Sequence, residues 1–492
     1  VSEQEKKTMI EISNLRSGQM LEPSAHLDRM PVINPATAET IATVPIGTAE
    51  DVDLAVLAAR EAFPIWSGLP ASERAACLLR LADLVDANVH ELARLETDDN
   101  GKPLALARDL EIPRAASNLR FFAGAILHTR SEAYDLGGMG LNYSLHRPRG
   151  VAGCISPWNL PLYLFTWKIA PALATGNTVV AKPSEVTPLS AFRFSQLAIE
   201  AGFPPGVFNV VHGRGDVVGQ RLVEHPDVPT ITFTGGTSTG ARIAATAGPM
   251  FKRTSLELGG KNAVVVCDDA DLEAAMPTIV RSCFQNQGEI CTCGSRILVH
   301  RNRMKAFVSR FLDSVAGLKV GDPLDTETDM GPLVSADHRE KVEAAIERAK
   351  AEGGTLACGG GRPTHLPDRV KNGFYLEPTV FMGLDQDSRT NQEEIFGPVV
   401  TIQGYDTHGE AVDRANATPY GLACSIWTRD LERAHRMAAK IESGMTWVNA
   451  WMLRDLRTPF GGMKQSGVGR EGGEEALRFF TETRSITIAH PG

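Results

Sequence analysis

The sequence predicts an α/β protein built on a parallel, doubly wound sheet. Strand-like and helix-like segments alternate four times in about 100 residues from position 151, the rhythm of strands joined by crossover helices. A second α/β region starts after "ELGGKN" at 257–262, and helical patterns precede both. The ligand crevice of such a fold lies beyond the C-terminal ends of its strands.

In chain order, the first clear helix follows Thr48, which with Asp51 forms a capping-box pair. Helical patterns continue to Gly101, a stop signal. "GLNYSLHRPRG" at 140–150 reads as an isolated strand. The alternating part then runs "GVAGCIS", the buried helix "LPLYLFTWKIAPALATG" ending at Gly176, "NTVVAK", "PLSAFRFSQLAIEAG", "VFNVVHG", "DVVGQRLVEH", "TITFTG" and "TSTGARIAATA". Beyond it come the strand "NAVVVC", a helix expected from about 271 to 290, "SRILVH", and helix–strand pairs through "MTWVNAW". The tail strand "SITIAH" and the segment at 140–150 lie far from either core, which predicts pairing with another subunit. Surface hairpins of a monomer are the alternative.

Composition narrows the function classes. The chain has 492 residues, enough for two or three domains. Its net charge is −9 and no Lys/Arg run stands out, which disfavours nucleic acid and anionic membranes. No apolar stretch approaches the roughly 20 residues that span a bilayer. The opening "VSEQEKKTMIEISNL" is polar and lacks the apolar core of a signal peptide, so a cytoplasmic protein is expected.

Eight cysteines are scattered along the chain, and "NQGEICTCGS" sets Cys291 and Cys293 two apart. Residues i and i+2 diverge on a strand or a helix, so a disulfide needs a strained turn. Zinc wants a second Cys or His pair, which the sequence does not offer. Nucleophile and inert core thiol remain, with Cys293 expected to face away from Cys291.

Other segments carry polar groups at strand ends. "CISPWNLP" holds Asn159 at the tip of a Pro-bracketed loop, where an amide can serve an oxyanion or simply make a turn. Lys182 and Glu185 in "KPSE" can hold ribose hydroxyls or form a surface ion pair. "FTGG" at 233–236 opens a helix with room for a pyrophosphate. "GRGDVVG" at 213–219 only loosely resembles a dinucleotide fingerprint. Glu257 in "LELGGKN" reads either as a base with a raised pKa or as a capping residue. Glu394 in "EEIFGP" can bind a second ribose, with Phe396 behind a flat ring, and Gly461-Gly462 permits close approach of a loop.

Taken in order, SPWN, KPSE, FTGG, ELGGKN, the cysteine after NQGEI, EEIFGP and PFGGMKQSG resemble the aldehyde dehydrogenase superfamily over essentially the whole chain, from "INPATAE" onward. The resemblance implies the aldehyde dehydrogenase fold. Its parts would be a Rossmann-like NAD-binding domain (1–129 and 150–258), an α/β catalytic domain (259–450) and small β oligomerisation strands (130–149 and 471–492). It further implies a homodimer or homotetramer. The implied reaction oxidises an aldehyde to a carboxylate with NAD+ and uses no metal. Cys291 would form a thiohemiacetal and then a thioester, Asn159 and the Cys291 N–H would hold the oxyanion, and Glu257 would activate the hydrolytic water. Lys168 and Glu474 would be the supporting proton relay.

The cofactor positions implied are Ile155, Ser156, Pro157, Trp158, Lys182, Ser184, Glu185, Gly215, Gly219, Phe233, Thr234, Gly235, Gly236, Leu258, Gly259, Glu394 and Phe396. Glu257 favours hydrolysis over transfer to coenzyme A, and Glu185 favours NAD+ over NADP+. "FTGG" departs from the commoner "FTGS", removing a hydroxyl at Gly236. Within the superfamily, the chain is most similar to the 2-aminomuconate and 2-hydroxymuconate semialdehyde dehydrogenases. That similarity implies carboxylate-binding arginines, Arg114 and Arg454, with Arg120 and Arg457 as nearby alternatives and Trp167 in the pocket. The rival readings are a broad or betaine-type aldehyde dehydrogenase, a non-catalytic protein on the same fold, and a thiol-redox or metal-binding protein.

Overall fold

The computed structural model describes residues 9–22 and 28–490. Residues 1–8 of the polar opening stretch lie outside the described residues. Two large sheets organise the chain. The first has five parallel strands in the spatial order Arg253–Glu257, Thr230–Thr234, Val151–Ile155, Thr178–Lys182 and Phe208–Val210. Strand order therefore reverses at Val151–Ile155, which places the switch-point crevice beyond Ile155 and Thr234. Short antiparallel pieces close both edges: Leu15–Arg16 beside Phe208–Val210, and Gly467–Val468 beside Arg253–Glu257.

All five parallel strands are buried along their whole length apart from the first two residues of Arg253–Glu257, as a sheet covered on both faces requires. Helix Pro161–Ala174 is buried on every side and fills one face. Thr48 and Asp51 do make the reciprocal capping box of helix Ala49–Gly68. Gly101 ends helix Val89–Asn100 in the left-handed conformation, at φ 88°, where glycine carries no steric penalty.

The second sheet has seven strands, with Ala263–Val266 near its centre between Arg296–His300 and Ala423–Trp427. Only Thr355–Cys358 runs antiparallel to its neighbour. The helix expected to reach 290 stops at Phe284. Asn286, Gln287 and Gly288 then all take positive φ, at 51°, 58° and 72°, and this left-handed turn brings the chain back toward the first domain. No periodicity signals such a reversal, because tertiary contacts of Asn286 hold it.

The two outlying strands pair with each other. Gly140–Pro148 and Thr481–Ala489 form a continuous antiparallel ladder, extended by Ala133–Asp135. The region from 471 is also not all strand. Gly473–Phe479 is a helix that packs on Pro161–Ala174, within the core of the first domain. No helix among the described residues is long and apolar enough to cross a membrane.

Candidate active site

A cleft of about 570 Å³ opens at the switch point. It is lined by Ile155, Ser156, Pro157, Trp158, Lys182, Ser184, Glu185, Gly215, Gly219, Phe233, Thr234, Gly235 and Gly236. The remaining expected cofactor residues, Leu258, Gly259, Glu394 and Phe396, line a deeper chamber of about 210 Å³ that also holds Asn159, Glu257 and Cys291. Pro157, Trp158 and Thr234–Gly236 border both. A further groove, of about 840 Å³, lies along helix Leu272–Phe284 and contains neither the thiol nor these carboxylates.

The cleft has the features a dinucleotide needs. Gly236 caps helix Thr237–Ala247 with no side-chain hydrogen bond, and a Cβ there would meet open space. The Thr237 and Ser238 N–H groups have no acceptor among the described residues and can meet a phosphate, whereas the Thr239 N–H already donates to the Gly236 carbonyl at 3.1 Å. Thr234 Oγ1 is buried without a partner. Lys182 Nζ donates to Glu185 Oε2 at 2.6 Å, and the Gly215 N–H donates to Oε1 at 3.2 Å. Burial acts to raise the Glu185 pKa, but Lys182 and these hydrogen bonds hold it below the ordinary carboxylate range. Residues not anticipated from sequence, including Arg214, Gln220, Thr239 and Arg242, complete the walls.

Glu394 Oε1 accepts the Gly260 N–H at 2.8 Å, and burial pushes its pKa up to about 7. Phe396 stands edge-on to Trp158 at 5.2 Å between ring centroids. Its φ of 60° is a strained setting for a bulky residue, and its carbonyl is held by the His338 ring at 2.7 Å.

Asn159 joins the two domains. Its side-chain Nδ2 donates to the Glu289 carbonyl at 2.8 Å, two residues before Cys291, leaving its second N–H unspent. Its own carbonyl accepts from Asn286 Nδ2 at 3.0 Å and Lys102 Nζ at 3.2 Å. Lys102 is fully buried between Glu96 and Glu111, a fixture the sequence did not single out. The Cys291 backbone N–H donates to no acceptor among the described residues.

Cys291 is half-buried and faces the chamber, whereas Cys293 is buried among Leu160, Tyr163, Leu164, Ile290 and Trp451. The two thiols therefore do diverge, although the segment is a turn and not a regular element. Burial raises the Cys291 pKa, and the charges of Glu394 and Glu257 raise it further. The thiol thus keeps its proton until a base takes it.

Glu257 ends its strand with both carboxylate oxygens buried and unpartnered. Burial, then the charge of Glu471, push its pKa well above the carboxylate range, while Lys168, Arg470 and Arg454 oppose them. Leaving such a group unpaired costs roughly 1–3 kcal/mol or more. It makes none of the hydrogen bonds a capping residue would, and an unpaired carboxylate with a raised pKa is suited to proton transfer. Gly461, at φ 154°, makes room: a Cβ there would stand 2.7 Å from Glu257 Oε1.

The relay pair needs correction. Lys168 Nζ donates to Glu471 Oε1 at 2.7 Å and to Thr232 Oγ1 at 3.1 Å. Glu474, the residue expected there, is exposed and paired with Arg478. Phe460 and Glu471 exchange backbone hydrogen bonds that fix Glu471 inward, whereas Gly472 and Gly473 turn the chain before Glu474 begins the outer face of a helix. Two arginine alternatives are also displaced. Arg120 is committed to Asp83 and Asp86, and Arg457 to Asp455 in solvent. Arg114 and Arg454 make no ion pair among the described residues, and both guanidinium carbons lie 5.9 Å from the Tyr163 ring centroid. Trp167 lies under Arg454, at 4.9 Å.

A doubly wound sheet whose ligand cleft adjoins a chamber holding a thiol is an arrangement suited to cysteine chemistry beside a bound dinucleotide. Comparison with known proteins gives the family. The model described as "Aldehyde dehydrogenase family" matches residues 22–486. The chain is 49% identical to the 2-aminomuconic semialdehyde dehydrogenase of Danio rerio, over 93% of this chain and 94% of that one. It is 46% identical to the 2-hydroxymuconic semialdehyde dehydrogenase of Pseudomonas sp. (strain CF600), over 93% and 95%. An NAD+ complex of aldehyde dehydrogenase from Bacillus cereus superposes with a TM-score of 0.94 at 40% identity, covering 97% and 96%. The chain belongs to the aldehyde dehydrogenase family.

Two outcomes test the site. Cys291→Ala abolishes aldehyde oxidation, while Cys293→Ala retains it; loss in Cys293→Ala alone reverses the assignment. A plot of kcat against pH shows an acid limb above the ordinary carboxylate range, because Glu257 works only when deprotonated and its pKa is raised. Glu257→Gln lowers kcat by roughly 10²–10⁴-fold and removes that limb; a limb that persists assigns the base elsewhere.

Proposed function

We propose that the protein oxidises a carboxylate-bearing semialdehyde, of the 2-aminomuconate or 2-hydroxymuconate 6-semialdehyde type, to the corresponding acid with NAD+. The observation that carries the substrate class is the pair Arg114 and Arg454. Two half-buried guanidinium groups without carboxylate partners among the described residues face one tyrosine, and a planar fork of donors is suited to a carboxylate. The charge of Arg454 is also felt at Cys291 and Glu257, so a substrate held there extends toward the thiol.

The chain's own groups then divide the work. Glu257 takes the Cys291 thiol proton and releases it to solvent as Sγ adds to the aldehyde carbon, and the unspent Asn159 amide N–H with the Cys291 N–H receives the developing oxyanion. Bound NAD+ supplies the hydride acceptor that turns the thiohemiacetal into a thioester. Residues of the switch-point cleft and of the deeper chamber would hold it: Lys182 and Glu185 at one ribose, the N-terminus of helix Thr237–Ala247 at the pyrophosphate, and Glu394, from the chamber, at the other ribose. Glu185, kept ionised, repels a 2′-phosphate and favours NAD+ over NADP+. Glu257 takes the proton of the water that cleaves the thioester, and Lys168 with Glu471 tunes its charge.

A betaine-type substrate is disfavoured by the same pocket. Its aromatic faces, Tyr163, Trp167 and Phe460, could cage a quaternary ammonium, but the Arg454 guanidinium already lies 4.2 Å from the Phe460 centroid. A second cation there meets repulsion.

Self-association is part of the proposal. Thr481–Ala489 leaves one edge of its sheet unpaired among the described residues, with Ile488 and Leu141 exposed nearby, and such edges invite a partner. Light scattering is expected to give two or four times the 53.1 kDa chain mass; a 53.1 kDa species at micromolar concentration rejects it. Arg454→Ala is expected to raise KM for 2-hydroxymuconate 6-semialdehyde about 100-fold (~2.7 kcal/mol) and to change kcat/KM for hexanal far less. Equal losses on both aldehydes sink the carboxylate reading.

A further inference from the structure

We infer that Tyr163 is a positioning residue for substrate selection, through the hydrogen bond its hydroxyl makes to Arg454. The inference rests on the carboxylate reading above and names what makes that arginine selective.

Arg454 Nη1 donates to the Tyr163 hydroxyl, and this is the only hydrogen bond of its guanidinium among the described residues. The group is otherwise surrounded by ring faces, at 4.2 Å from Phe460, 4.9 Å from Trp167 and 5.9 Å from Tyr163. Ring faces attract a cation without fixing its rotation in their plane. A hydroxyl fixes one edge of the fork, so the remaining N–H groups take a set direction. Orientation matters here because a bidentate carboxylate contact demands a planar match.

Tyr163 is itself buried and held on its helix. It lies on helix Pro161–Ala174 with only 3% of its surface exposed. Its carbonyl accepts from Asn118 Nδ2 at 3.1 Å, a side chain that also holds Thr166 Oγ1 on the same helix. Asn118 stands one turn beyond Arg114 on helix Ile112–Ala125. One tyrosine thus stands against both guanidiniums: its ring lies by Arg114 and by Arg454, and its hydroxyl fixes the second. A phenylalanine there would keep the ring contacts and lose only the fixed edge. Long cationic side chains lose much rotational freedom on binding, and holding one in its bound pose beforehand lowers that cost.

The experiment compares the full-length chain with Tyr163→Phe, Arg454→Ala and the double variant. Each is assayed with NAD+ on 2-hydroxymuconate 6-semialdehyde and on hexanal. The readout is the ratio of kcat/KM for the charged aldehyde over the uncharged one. Tyr163→Phe is expected to lower that ratio about tenfold, with the change carried by KM for the charged aldehyde and not by its kcat. The double variant should show no lower ratio than Arg454→Ala alone, because the hydroxyl acts only through that arginine. An unchanged ratio in Tyr163→Phe, a loss shared by both aldehydes, or additive losses in the double variant would each overturn the inference. The two readings fail separately. If Arg454→Ala leaves the ratio unaltered, the carboxylate reading itself falls. If Arg454→Ala collapses the ratio and Tyr163→Phe does not, only the role of Tyr163 falls.

Discussion

The hydrogen bond from the Asn159 amide to the Glu289 carbonyl is the constraint on which the site depends. One partner sits at the end of a strand of the first sheet, the other on the turn that carries the thiol. In the proposed reaction that contact would set the distance between oxyanion donor and nucleophile, and misplacement by an ångström costs such a site heavily. The surrounding groups secure Asn159 through its carbonyl, which Lys102 and Asn286 both reach. Lys102 is shared by two buried carboxylates, Glu96 and Glu111, and burial raises the pKa of Glu111. A buried ion pair is poor evidence for stability; what this one supplies is a fixed donor under a catalytic loop.

Carboxylates in this protein are sorted by their company. Glu185 has a lysine and a backbone N–H and stays ionised, as a ribose ligand must. Glu257 has no hydrogen bond and a second carboxylate, Glu471, in its field, so its neutral form is favoured. Lys168 moderates that repulsion by pairing with Glu471 directly. Glu185 and Glu257 thus differ in proton affinity, the environment-driven division seen wherever two acids must do different work.

Much of this was legible in the sequence because it depends on local order. Strand–helix alternation fixed the first sheet, and residues at strand ends, Asn159, Lys182, Glu185 and Glu257, fell at the crevice that the topology demands. What could not be read depended on long-range partners. Three glutamates stand close together at 471, 474 and 475, and only the backbone exchange between Phe460 and Glu471 decides which faces Lys168. Arg120 and Arg457 carry the same charge as Arg114 and Arg454, but their aspartates neutralise them. The overrun of the helix past Phe284 has the same cause, since an Asn-Gln pair turns left-handed here only because Asn286 is held by Asn159. Tyr163 sat in plain view inside an apolar helix, where a tyrosine reads as core until an arginine from a distant loop is placed on its hydroxyl.

The pairing of Gly467–Val468 with the strand that ends in Glu257 has a consequence for how the protein is made. A ribosome completes the base-bearing strand long before it reaches the segment that covers its outer edge. Until then that edge is an open template for strand addition, the state most exposed to misassembly during synthesis. The nascent chain can therefore build its nucleotide sheet early but not seal it, and a product terminated upstream of 467 would not be a smaller enzyme. It would be a sheet with its reactive margin uncovered, a natural target for chaperones and for quality-control proteolysis.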